Sequence, residues 1–162
     1  MKKVLGILMI AALFIAGCGK EDDISTEEQL AIDIQKIQDY LTENNITATK
    51  TESGLFYVID VEGTGTENPS PTASVTLRLK GYLLDGTVFY TTDGNSAEVF
   101  NLAGPTNVPI NGMIEGVQLM NAGDEGRLFI PSTLAYGKVE QAMIPSNSCL
   151  IFEIELVSFS NN

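Results

Sequence analysis

Ser74–Thr91 reads SVTLRLKGYLLDGTVFYT, and the fold turns on it. Val75, Leu77 and Leu79 fall on one side of a period-two alternation, with Thr76, Arg78 and Lys80 on the other. That is the pattern of a strand with one buried face, and it predicts a strand over 74–84. Asp85-Gly86 then makes a short hairpin turn, because glycine takes the positive φ that such a turn needs. Thr87–Thr91 is the return strand.

Working outward, Leu55–Val61 is a β-rich apolar run, and 63–71, with two glycines and two prolines, cannot continue it. Glu125–Ile130 and Cys149–Phe159 are further strands, the last mixing Leu, Ile, Phe and Val with Glu153 and Glu155. The one helical candidate inside this β region is Gly112–Asn121, with Met113, Val117 and Met120 on one side. The expected fold class is α+β: an antiparallel β-sheet wrapped around a short helix. An N-terminal helix precedes it. Ser25 and Glu28 are spaced as a capping box, and Leu30, Ile34, Ile37 and Leu41 recur at helical spacing. The spacing predicts a helix over 26–43, stopped at Asn44-Asn45. Its apolar stripe either docks on the domain that follows or pairs with a second copy, which leaves monomer and dimer both open.

The first residues are of another kind. Lys2 and Lys3 precede an apolar run from Val4 to Ala16, 13 residues long, too short for a span that needs roughly 20 but suited to a secretory leader. Ile15-Ala16-Gly17-Cys18 resembles a lipobox, which implies cleavage after residue 17 and lipidation of Cys18; the alternative is an ordinary leader with a chance cysteine. Lipid on Cys18 would anchor the protein to a membrane. The expected division is 1–17 leader, 18–24 lipidated tether, 25–49 helix and linker, 50–160 β-rich domain. Gly19–Asp23 is a solvated spacer, or an address resembling the signal that directs some lipoproteins to the outer face of the outer membrane. The expected location is the cell envelope, as an outer-membrane lipoprotein facing the periplasm or the surface.

Composition narrows the chemistry. Cleavage would remove two of nine basic residues and no acidic ones, leaving a net charge of −14, which disfavours nucleic acid as a partner. Cys149 is the sole cysteine besides Cys18, and histidine is absent. A Ser-His-Asp triad, a Cys-His pair and nearly every common zinc site are thereby excluded. No metal or cofactor is implied.

Over 50–159 the order of motifs resembles the FKBP-type peptidyl-prolyl cis-trans isomerases. Gly81–Phe89 is similar to the family's G-x-L-x-D-G-x-x-F hairpin, Ile110–Val117 to its I-x-G-W-x-E-G helix start, and Asn121–Asp124 to the helix exit. Leu134–Gly137 is similar to Y-A-Y-G, and Ile144-Pro145 with Leu150–Leu156 to the closing strand. The resemblance implies rotation about X-Pro bonds of proline-containing client chains, in an apolar pocket that strips water from the amide. The catalytic residues it implies are Phe89, Tyr136 and Phe152, with Tyr136 offering its hydroxyl to a substrate carbonyl. Leu79, Tyr90, Ile110, Met113 and Ile144 would complete the substrate pocket. Four positions depart from the pattern. Leu79 stands for a tyrosine, Tyr90 for an aspartate, Met113 for the tryptophan floor and Glu98 for an edge aromatic. The first two together remove a polar pair, which argues against macrolide binding and admits reduced turnover. A non-catalytic chaperone or binding module is the competing reading; an unrelated β-sandwich would leave the 112–121 helix without a role.

Overall fold

The structure, a computed structural model, describes residues 24–92, 96–107 and 109–161. The expected leader, Cys18 and the tether up to Asp23 lie outside the described residues.

Helix α1 runs over Thr26–Glu43. Ser25 Oγ accepts from the Glu28 amide at 3.2 Å, and the Glu28 carboxylate accepts from the Ser25 amide at 2.9 Å. Two backbone donors at the helix start, which have no partner along the helix, are thereby satisfied. Beyond its last turn Asn45 takes the left-handed conformation at φ 55°, as asparagine can at a helix end.

Among the described residues seven strands form one antiparallel sheet: β1 (Thr49–Lys50), β2 (Phe56–Val61), β3 (Ser74–Leu83), β4 (Val88–Thr91), β5 (Glu98–Asn101), β6 (Glu125–Ile130) and β7 (Leu150–Ser160). Their order is β1-β2-β6-β7-β3-β4, with β5 also paired to β3. Strands β1 and β5 were not expected; at two and four residues they are too short for a period to declare itself. Helix α2 covers Asn111–Val117 and stops before the expected end. The buried Asp124 carboxylate accepts from the amides of Asn121 at 2.8 Å and Gly63 at 2.6 Å, which draws the chain after Val117 into a loop.

The sheet is apolar on both faces, but not along its whole length. Val75, Leu77 and Leu79 of β3, Leu128 and Ile130 of β6, and Leu150, Phe152, Ile154 and Leu156 of β7 form the inner core with Met113, Val117 and Met120. A second core on the outer face joins Ile37 and Leu41 of α1 to Phe56, Phe129, Cys149 and Ile151. Where α1 ends its cover, the outer face turns polar: Arg78 pairs with Glu155 at 2.5 Å and Arg127 with Asp60 at 2.7 Å.

Helix α1 thus docks in cis, though not quite on the expected stripe. Its buried positions are Gln29, Asp33, Ile37 and Leu41, while Leu30 and Ile34 are half-buried beside the turn at Gly54. Hydrogen bonding sets the rotation. Asp33 is fully buried, and its carboxylate accepts from the Ser132 amide at 2.8 Å, the Ser132 hydroxyl at 2.5 Å and Gln29 Nε2 at 2.8 Å. A stripe drawn from hydropathy alone cannot include an aspartate that finds its partners 99 residues away. Asp33→Ala is expected to lower unfolding free energy in urea by about 2–3 kcal/mol, since it leaves two buried Ser132 donors unpaired; a loss under about 0.5 kcal/mol, the scale of ordinary surface changes, would contradict this account.

Candidate active site

A cavity of about 450 Å³ opens between the inner face of the sheet, α2 and the loop after β6. All eight side chains nominated from the sequence line it: Leu79, Phe89, Tyr90, Ile110, Met113, Tyr136, Ile144 and Phe152.

Its aromatic corner is built on one missing side chain. Gly81 lies opposite Phe152 in the β3–β7 register. A Cβ at Gly81 would fall 2.6 Å from Phe89 and 2.8 Å from Phe152, so only glycine lets both rings close over the strand. They meet edge to face, centroids 5.5 Å apart at 81°, the arrangement that aromatic quadrupoles favour. Leu79, next on the same face, is held by its own backbone, whose carbonyl accepts from the Thr92 amide at 2.9 Å.

Helix α2 supplies the floor. Its close approach to β6 depends on Gly112 and Gly116, where a Cβ would fall 2.4 Å from Ile130 and 2.2 Å from Leu128. Met113 is thereby driven into the cavity base at 4% exposure. Ile110 caps the helix through its carbonyl, which accepts from Met113 and Ile114 at 3.0 Å each.

Tyr136 arrives on a tight loop. After the 3₁₀ turn Ser132–Leu134, the Ser132 carbonyl accepts from Ala135 and Gly137, both at 2.9 Å. Gly137 has φ +57° and its carbonyl accepts from Asn147 at 2.7 Å. Tyr136 is left 38% exposed at the mouth, where its hydroxyl can donate to a bound chain. Ile144 closes the same wall, pinned by reciprocal backbone bonds with Gln141 at 2.9 and 3.1 Å.

Two of the departures prove to be a pair. The Tyr90 hydroxyl donates to the Glu98 carboxylate. Burial, followed by the bond to Glu98, pushes the Tyr90 phenol up to about 12, so it remains a donor at neutral pH. Strands β4 and β5 pair with successive stretches of β3, Tyr90 against Gly81 and Glu98 against Leu77, which brings them side by side. Sequence reading had no local signal for this, because it depends on β5. Phe100 and Met143, also on the lining, were missed for similar reasons: the first lies on the unexpected strand, the second in an irregular loop.

No group of three or more metal-ligating side chains occurs among the described residues. Cys149 lies in the outer core, away from the cavity; burial, ahead of its neighbour Asp33, pushes its thiol up to about 12, so it carries no thiolate at neutral pH. Among the described residues the site holds an apolar pocket, the Phe89–Phe152 corner, the Tyr136 phenol at the mouth and the Tyr90–Glu98 contact at the edge.

The sequence model described as "FKBP-type peptidyl-prolyl cis-trans isomerase" matches residues 65–157. The chain belongs to this family. FkpA of Aeromonas hydrophila, itself described as an FKBP-type peptidyl-prolyl cis-trans isomerase, is 37% identical over 142 residues, which cover 86% of this chain and 49% of the relative. The outer membrane protein MIP of Legionella longbeachae is 39% identical over 108 residues, covering 65% and 44%. A crystal structure of FkpA from Escherichia coli superposes with a TM-score of 0.69 at 30% identity, over 83% of this chain and 62% of that one. The chain therefore spans about half the length of the curated relatives it matches. Within the FKBP pattern, the hairpin glycine and the two helix glycines each have a steric reason here, through the rings over β3 and the approach of α2 to β6.

Gly81→Ala is expected to lower stability by about 1–3 kcal/mol through overpacking and to shift the ring resonances of Phe89 and Phe152 in aromatic NMR spectra. Unmoved ring signals would contradict the packing described.

Proposed function

We propose that this FKBP catalyses cis-trans isomerisation of X-Pro bonds in exported polypeptides. The observation that carries the reading is the convergence of all eight nominated side chains on one apolar cavity. An X-Pro amide resists rotation because resonance gives its C–N bond double-bond character, with a barrier near ~20 kcal/mol. Resonance also places negative charge on the carbonyl oxygen, so water stabilises the planar amide more than the twisted one. Enclosing the proline ring between Phe89, Phe152 and Met113 removes that water, and the Tyr136 hydroxyl holds the rotating carbonyl. Both effects favour the twisted state over the planar one, as catalysis requires. No bond is broken, which suits a site without histidine or a reactive thiol.

The site assignment follows: Phe89, Tyr136 and Phe152 act on the amide, and Leu79, Tyr90, Ile110, Met113 and Ile144 shape the pocket. Met113 fills the floor with a flexible thioether. We further propose that residues 1–17 are a cleaved leader, that lipid on Cys18 anchors the protein in the cell envelope, and that 18–24 tether a unit in which the helix and linker of 25–49 precede, and dock on, a catalytic domain over 50–160. The lipobox-like stretch Ile15–Cys18 supports this, and the envelope location accords with the relative named an outer membrane protein. Cis docking of Ile37 and Leu41 favours a monomer.

At micromolar concentration the purified protein is expected to accelerate the proline-limited refolding of a test protein; an unchanged rate would defeat the catalytic reading. Phe152→Ala should lower kcat/KM by about tenfold or more, in line with losing the better part of a buried aromatic contact. Tyr136→Phe should lower it only about three- to tenfold, the range for one hydrogen bond. Equal losses in the two variants would contradict the roles assigned.

A further inference from the structure

Among the described residues lining the cavity, Glu98 alone is charged. It stands exposed on β5, at the edge of a pocket otherwise built from apolar and neutral side chains. A neutral phenol, not a cation, holds it: the Tyr90 hydroxyl fixes the carboxylate without cancelling its charge. The resolved ion pairs of the sheet, Arg78–Glu155, Lys80–Glu153 and Arg127–Asp60, lie on the opposite face from Leu79. Glu98 therefore presents a positioned negative charge, at the edge of the cavity, to whatever enters it.

We infer that Glu98 is a specificity residue, selecting client segments in which a lysine or arginine lies next to the proline. The proline ring enters the apolar corner while the neighbouring cation meets the Glu98 carboxylate at the rim; an acidic neighbour is repelled from the same point. Tyr90 is the positioning residue, since it holds the carboxylate at the rim. The net negative charge of the chain, −12 over the full sequence, acts in the same direction at longer range by drawing basic segments toward the surface. This inference rests on the isomerase reading and adds to it a class of substrate.

The test is a set of short peptides that differ only in the residue before or after proline, with lysine, leucine or glutamate at each place. At low salt the native protein is expected to show a kcat/KM about three- to tenfold higher for lysine than for glutamate at one of the two places, the range for a partly exposed charge pair at a recognition site. The ratio should shrink toward one in 1 M salt, where the Debye length falls to about 3 Å. E98Q should remove most of the preference, and E98K should reverse it. Turnover of all peptides with a ratio that E98Q leaves unmoved overturns this inference alone. No turnover of any peptide overturns the isomerase reading along with it. Circular dichroism establishes that both variants are folded before their ratios are compared.

Discussion

The pairing of β3 with β7 is the constraint on which the rest depends. It runs from Ser74 opposite Ser160 to Leu83 opposite Leu150, with one shift in register between Thr76 and Leu77. Side chains alternate with a period of two, so a slip of one residue would exchange the faces of the longest strand. Held in this register, Gly81 faces Phe152 and leaves room for two rings; Leu79 and Ile154 turn inward together toward α2. The cavity is thus a product of strand register before it is a property of any side chain.

The second requirement is cover. Strand β7 is buried on both faces at Leu150-Ile151-Phe152, then alternates from Glu153 onward. The change marks where α1 ceases to lie over the sheet. Apolar residues face α1 on one side and the pocket on the other, and ion pairs take over where water reaches the outer face. Asp33 fixes this boundary, because its bonds to Ser132 decide which side of α1 faces the sheet. Ser132 in turn accepts the amides that shape the Tyr136 loop. The Asp33–Ser132 contact therefore links helix and pocket wall through the protein interior.

How much of this was legible in the sequence follows from the range of each interaction. The Ser74–Leu83 alternation, the Asp85-Gly86 turn and the Ser25–Glu28 capping box all act within a few residues, and each was read correctly to within a residue or two. The pocket positions were legible by resemblance, and the structure brings all eight together. What could not be read depends on partners far along the chain. Asp33 gains its place from Ser132, α2 loses its last turn to Asp124 and Gly63, and Tyr90 meets Glu98 only because β4 and β5 share an edge of β3. Leu79, Tyr90 and Glu98 read in isolation as losses from a familiar pocket. In three dimensions, two of them form a phenol–carboxylate contact of their own.

The central place of β7 also bears on how the chain reaches this state. It pairs with β3 and β6, yet follows every other described strand in sequence. As the chain grows from its N-terminus, β3 and β6 lack their common neighbour until β7 emerges, and the outer core lacks Ile151. Helix α1, whose own bonds are local, can form early but has only part of its docking surface to bind. Non-local closure of this kind slows folding and keeps unpaired edges open. With this order of strands the sheet cannot close until β7 is available, so its unpaired edges are most exposed just before the last of the described strands arrives.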